Sequence, residues 1–515
     1  MNNVKNTKLL ILFATIVRCI IACTTELGND EVYYRLYADV LQWNYFDHPP
    51  IVGWLIRCTT VNLFIDTTFT IRIGAIIAAA IATWLVFKCG ALLQNTYTGF
   101  VAACIFTASI YCSIIAGTFI LPDSPQIIFW VLSIYLLLKI TANKTINKKS
   151  KNNLLWFGII TGIGMLCKIH TIFLWVGFGM YILFYQREWL TQWVLYAAIA
   201  ITILFFTPVI YWNFKNNFIT FFFHGNRVNV AAGGVNIESM LTFIGGQILY
   251  CNPVVFYIIG VAIFKNKYTV ARAHSRILWL VSAPIIVLAT CISLFKELLP
   301  HWTGPGFIGL ILLSACYYAP LIQQAYQKKI LPLSIRIANV LIAIIIVVGL
   351  LGINFFPGTL GSKNEQKLGD GDFTLDMYGW KKFGNTFDSI YKSTHATNIA
   401  NNTGLVCDKW FPAAHIQMYV TNALPIHVIG YGAIEDIHQY HWLNKQKLLH
   451  TADSMDLYYI VPSNYFSDVN TSDLLKNIKP TTIDTVVQTR SNVIARKFYV
   501  YYYKKNKFNF KTAFL

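Results

Sequence analysis

Runs of roughly 20 apolar residues, the length that crosses a bilayer, recur through the first 358 positions and are parted by short polar stretches. The pattern predicts spans at about 9–25, 70–91, 100–117, 124–140, 192–212, 241–264, 277–294, 303–322 and 337–354. A further apolar stretch, 154–185, is broken by Cys167-Lys168-Ile169-His170 and is read as two short spans. After Phe356-Pro357-Gly358 the period changes. The runs GLVCD (404–408), IHVIG (426–430), LYYIV (457–461) and FYVYYY (498–503) read as strands; PAAHIQMYV (412–420) and DLLKNI (473–478) read as helices. The expected fold is a polytopic α-helical membrane domain of about eleven spans, residues 1–358, followed by a small soluble α/β domain, residues 359–515.

Composition agrees with a membrane protein: 56% of residues are hydrophobic and only 12% charged, far from soluble averages of roughly 45–50% and about 25%. The net charge of +18 invites a nucleic-acid reading, but its distribution opposes one. The Lys/Arg excess falls in short loops at 141–153 (Lys144, Lys148, Lys149, Lys151), 265–276 (Lys265, Lys267, Arg272, Arg276) and 323–336 (Lys328, Lys329, Arg336). That is the positive-inside pattern, and no long basic tract is present. It predicts a cytoplasmic N-terminus and a C-terminal domain on the outer side. The first apolar run has no small-residue cleavage site and reads as a retained span. Ten of the eleven cysteines lie in the apolar part, leaving Cys407 alone in the tail. No zinc-type Cys/His spacing occurs.

The stretch Glu26–Pro50 stands out. Residues 1–358 hold ten acids, and five of them (Glu26, Asp30, Glu31, Asp39, Asp47) sit here among Tyr33, Tyr34, Tyr37, Trp43, Tyr45 and Phe46. Asp30-Glu31, and Asp47-His48 ahead of Pro49-Pro50, point to acid/base chemistry at a membrane surface. The bland alternative is an amphipathic helix in the headgroup layer. Other expected outer segments offer Asp123, Lys168, His170, His224, Arg227, Lys296, Glu297 and His301. Carboxylates serve as base or metal ligand; Lys, Arg and His clamp phosphate. The set suits an anionic, lipid-linked substrate entering from the bilayer. Against that, Lys168 as a snorkelling side chain and Asp123 as a helix N-cap are ordinary structural roles.

The chain resembles bacterial glycosyltransferase family 39, related to the protein O-mannosyltransferases and the lipid A aminoarabinose transferase. The resemblance rests on DEVYYRLYADVLQWNYFDHPPIVGWLIR (30–57), LPDSPQIIFW (121–130), GIGMLCKIHTIFL (162–174), PVIYWNFKNNFITFFFHGNR (208–227), GGQILYCNPVVF (245–256) and LPHWTGPGFIGL (299–310), with CDKWFPAAHIQMYV (407–420) in the tail. It implies a GT-C fold in the bacterial inner membrane and a periplasmic active site. It also implies an inverting transfer of sugar from a polyprenyl-phosphate donor to a hydroxyl of a lipid, glycan or protein acceptor. The family's catalytic acid falls on Asp30, with Glu31 beside it and Asp47 as a rival. Lys168 and Arg227 are expected on the donor phosphate, with His48, Asp123, His224, Lys296 and His301 as further substrate contacts. A divalent metal ion at Asp47 or His301 is an open option. Asp47-His48 replaces the Glu-Lys of the aminoarabinose branch, so neither sugar nor acceptor is fixed. A transporter or flippase of lipid-linked sugars is the alternative; the absence of an internal repeat and the one-sided acids disfavour it.

Overall fold

The structure, a computed structural model, describes residues 2–142, 145–230, 234–265, 270–326, 331–394, 403–421, 424, 426–447 and 455–506. The loop lysines Lys144, Lys267, Lys328 and Lys329 lie outside the described residues. Packing divides the chain into two compact units: Met1–Ala22 with Leu41–Ile346, and Cys23–Val40 with Val347–Leu515. The acidic stretch is therefore shared. Its first part goes with the C-terminal unit, and the loop carrying Asp47 and His48 stays with the helical one.

The chain opens with α1 (Asn3–Thr24) and α2 (Asn29–Tyr37), the latter in the C-terminal unit. The helical unit continues with α3 (Ile51–Thr59), α4 (Thr68–Leu93), α5 (Thr96–Ala108), α6 (Asp123–Thr141), α7 (Lys148–Cys167), α8 (Phe173–Tyr185) and α9 (Trp193–Lys215). It ends with α10 (Ile219–Val228), α11 (Ile237–Cys251), α12 (Pro253–Lys265), α13 (Arg272–Ser293), α14 (Phe307–Tyr326) and most of α15 (Leu333–Phe355). Short polar caps start several of them. Asn95 Oδ1 accepts the N–H groups of Tyr97 and Thr98 at 3.0 and 3.1 Å, and Asn147 Oδ1 accepts that of Ser150 at 2.8 Å. Small residues let helices approach: a Cβ on Gly158 of α7 would sit 2.4 Å from the Ala198 carbonyl of α9, and Thr202 Oγ1 donates to the Gly158 carbonyl at 2.8 Å.

Among the described residues, seven helices are long and apolar enough to cross a membrane, or eight if the bent pair α11–α12 counts as one span. Three segments account for the difference from eleven. α5, at 13 residues, reaches only about 20 Å at 1.5 Å per residue before a π-helical turn at Tyr111–Ile115. α7 opens on the polar KKSKNN, and α8 is 13 residues long. The expected single span at 241–264 bends by 99° at Asn252, whose φ is +75°.

The C-terminal unit is built on a five-stranded sheet ordered β2-β1-β3-β5-β4. Its strands are β1 (Thr403–Cys407), β2 (His427–Gly430), β3 (Met455–Pro462), β4 (Thr482–Arg490) and β5 (Val493–Asn506). The first three are parallel; β5 pairs antiparallel with β3 and with β4. Ser491 and Asn492, both at positive φ, turn the β4–β5 hairpin. α16 (Trp380–Thr394) and α17 (Trp410–Tyr419) pack against each other. Residues 473–478, expected as a helix, form turns instead; they are short, and Leu474 and Leu475 are spent on the sheet. Arg490 and Asp372 form a buried ion pair at 3.0 Å. The same guanidinium donates to the carbonyls of Ile353 and Gly358 at 3.2 and 3.0 Å, satisfying groups at the end of α15.

Candidate active site

The chain between α2 and α3 is held in the helical unit by uncharged groups. Asn44 Nδ2 donates to Thr220 Oγ1 and to the Tyr45 carbonyl, both at 2.8 Å; Thr220 Oγ1 donates to the same carbonyl at 3.1 Å. The Tyr45 N–H closes a turn on the His48 carbonyl at 3.1 Å. Thr220 is positioned by a sharp change of direction after α9. Asn217 and Phe218 are both left-handed, and Asn213 accepts from Thr220 N at 3.2 Å through Oδ1 and from Phe218 N at 2.7 Å through its carbonyl. His224 Nε2 then reaches the Asp47 carbonyl at 2.6 Å as donor, which puts the ring proton on Nε2.

This loop, the break after α7, the C-terminal half of α9, α10 and Trp302 line an open cavity of about 170 Å³. Its polar lining comes from Asp47, His48, Lys168, His170 and His224 together with the uncharged Asn44, Asn213 and Thr220; Phe206, Val209, Phe221, Val228 and Trp302 supply apolar wall. The His48 and His224 rings are 5.6 Å apart, and Trp302 lies 5.4 Å from His170 and 6.4 Å from His224. Burial, and then His224, Lys168, His170 and Arg227, push His48 well below the ordinary imidazole value. Burial also lowers His224, against the bond to the Asp47 carbonyl, which raises it. Both rings are neutral at neutral pH and can take a proton when an anion arrives.

Lys168 occupies the break itself, with extended φ and ψ of −155° and 128°. Its Nζ donates to Asp123 Oδ2 at 2.7 Å, and Tyr111 donates to Asp123 Oδ1 at 2.8 Å. Lys168 and Asp123 are each 2% exposed. Lys168 therefore does not snorkel. Asp123 is not an N-cap either: it is the first residue of α6, after Pro122, and that helix start has no side-chain cap.

Asp30 and Glu31 lie in the other unit, in the first turn of α2. Glu31 is buried, and its Oε2 accepts the Gly28 N–H at 2.9 Å, the reciprocal half of a capping box. Asp30 is exposed. The turn is stitched into its unit around Asn29, which donates to Asp376 Oδ2 at 3.0 Å and accepts from His415 Nε2 at 2.8 Å. Glu26 caps α16 through the N–H groups of Trp380 and Lys381 at 2.7 and 3.0 Å.

Arg227, Lys296 and His301 are not among the residues enclosing the cavity. Arg227 is exposed and lies over the Phe223 ring at 4.5 Å; His301 packs its ring 5.9 Å from Tyr250. Among the described residues no group of three or more His, Cys, Asp or Glu is placed to hold a metal ion. A divalent ion at Asp47 or His301 would need ligands from water or substrate. Tyr111, Asn44, Thr220 and Trp302 were not singled out from sequence. They carry no charge, and only their long-range contacts mark them.

The family described as dolichyl-phosphate-mannose-protein mannosyltransferase matches residues 47–212, which include Asp47, Asp123 and Lys168. The lipid A galacturonosyltransferase RgtD of Rhizobium johnstonii is 20% identical over 291 residues, spanning 55% of this chain and 59% of that relative's length. ArnT from Cupriavidus metallidurans in the apo state superposes with a TM-score of 0.61 at 13% identity, over 96% of this chain and 98% of ArnT. The chain has the fold of ArnT. ArnT bound to undecaprenyl phosphate superposes equally well, at a TM-score of 0.60 and 14% identity, over 96% and 97% of the two chains. At these identities the solved structures show the fold alone. The family match begins after Asp30 and stops before His224.

Proposed function

We propose that the protein is an integral-membrane glycosyltransferase that moves a sugar from a polyprenyl-phosphate donor to a hydroxyl acceptor, with inversion, at the periplasmic face of a bacterial inner membrane. The observation that carries this reading is the cavity in which Lys168, His48, His170 and His224 meet an apolar wall. That combination suits a phosphate on a hydrocarbon chain. The family match, and the binding of undecaprenyl phosphate by ArnT, support the same donor class.

In the proposed reaction the acceptor O–H gives its proton to a carboxylate as its oxygen bonds the anomeric carbon. The bond from that carbon to the phosphate oxygen breaks, and the phosphate keeps the electron pair. The leaving polyprenyl phosphate gains a negative charge, which Lys168 and the imidazoles meet. Asp30 is the proposed base, from the resemblance; Asp47, at the cavity wall, is its rival. Mass spectrometry of polyprenyl-phosphate sugars from a deletion strain tests the donor class. One such lipid should accumulate in the strain and fall on complementation. An unchanged lipid pool contradicts the reading.

A further inference from the structure

The C-terminal unit has a cavity of its own, about 290 Å³, outside the carboxyl ends of β1 and β3. The topology explains why a crevice opens there. The chain leaves β1 into α17, which packs beside α16, and Phe387 of α16 lies 5.1 Å from the Tyr458 ring. It leaves β3 into the turns carrying Leu474 and Leu475, which pack with Tyr459 and Val461 on the opposite sheet face. Two adjacent parallel strands whose following segments depart to opposite faces leave an open crevice, the usual ligand position in α/β sheets.

One buried side-chain atom lining this crevice, Oδ1 of Asn464, has no hydrogen-bond partner among the described residues. Asn464 is 1% exposed. Buried polar atoms are rarely left so. Beside it, the Asp408 carboxylate accepts from the Tyr459 hydroxyl and, at 3.5 Å, from Ser467, both through Oδ2. Both of these bonds leave Oδ1 without a side-chain donor among the described residues. Burial raises the Asp408 carboxyl above its ordinary value. Phe411, Tyr465 and Phe466 add aromatic wall, and the charged side chains lining the cavity are two Lys (367, 409) and two Asp (370, 408), which balance.

We propose that the crevice at the ends of β1 and β3 binds a neutral sugar ring, with Asn464 and Asp408 on vicinal hydroxyls and the aromatic side chains against the ring face. The chemistry follows from the inventory. An amide offers a donor and an acceptor, a carboxylate is an acceptor, and each sugar hydroxyl is both. A phosphate would meet two carboxylates here, and a metal ion would meet two ammonium groups. The volume lies at the small end of ligand sites. The site is separate from the Lys168 cavity and stands whether or not the transferase reading does.

The test is saturation-transfer NMR on the full-length protein in lipid nanodiscs, which avoids glycosidic detergent. The probes are the methyl glycosides of glucose, galactose and mannose, with inorganic phosphate and calcium chloride as competitors. At least one glycoside should give a signal. Asn464→Leu and Asp408→Asn should weaken it roughly tenfold, the loss expected when a buried polar group and a ligand hydroxyl no longer pair. The signal should persist in the Lys168→Met/Asp123→Asn double variant. Asp408→Asn keeps side-chain size and guards against a folding failure in Asn464→Leu. No signal from any of the three glycosides overturns the proposal. So does a signal unchanged in both variants, displacement by phosphate or calcium, or a signal lost only in the double variant.

Discussion

Lys168 Nζ and Asp123 Oδ2 are 2.7 Å apart and both side chains are buried, one at the break after α7 and the other at the start of α6. Removing one partner of such a pair typically costs about 3–5 kcal/mol, because the other charge stays buried and unpaired. Lys168→Ala alone should therefore lower both thermal stability and donor use. The Lys168→Met/Asp123→Asn double variant should regain most of the stability and none of the donor use. A thermal-shift series with donor KM and kcat on the same preparations separates the two effects. If the double variant transfers sugar like wild type, the pair is structural only.

The cavity imidazoles give a pH dependence with a fixed sign. His48 and His224 titrate below the ordinary imidazole range in the free protein. A bound phosphate favours the charged rings and raises those values, so binding takes up protons. Affinity for undecaprenyl phosphate should tighten as pH falls towards and below the ordinary imidazole value near 6.5, since both rings start out lowered. His48→Asn with His224→Asn should flatten that slope. An affinity that is level with pH in wild type contradicts the assignment of these rings to the phosphate.

The proposed base can be separated from its neighbours by isosteric substitution. Asp30→Asn should lower turnover by about 10²–10⁴, the usual loss with a general base, while donor binding is kept. Glu31→Gln should act mainly on stability, since Glu31 Oε2 caps its own helix at Gly28 N. Asp47→Asn is the decisive comparison, because Asp47 lines the cavity. If Asp47→Asn loses turnover and Asp30→Asn keeps it, the base is Asp47.

The orientation is also open to test. Reporter fusions should signal the cytoplasm at Asn147 and the periplasm at Pro357, following the basic loops. A cytoplasmic signal at Pro357 overturns the proposed periplasmic face.

How much of this was legible in the sequence depended on range. Long apolar runs located most of the membrane helices, and the break at Lys168 was visible as a lone charge in an apolar stretch. Its partner was not: Asp123 is 45 residues away, and periodicity carries no information about which two break points meet. The 99° bend at Asn252 was hidden for a related reason. A residue at positive φ leaves an apolar run apolar, so a bent pair reads as one span. The acidic stretch read as a single feature, yet its two ends belong to different packing units. Glu26, Asn29 and Glu31 are occupied as caps and stitches within the C-terminal unit. β4 escaped notice because much of it is exposed, so hydrophobic contrast is weak.

Sugar transfer by the purified protein, with a panel of polyprenyl-phosphate sugars and detection of released polyprenyl phosphate, tests the central claim most directly. Wild type should convert at least one donor, releasing one polyprenyl phosphate per sugar transferred, and the Lys168→Met/Asp123→Asn double variant should not. Release of polyprenyl phosphate by neither protein, or by both at equal rates, would contradict it.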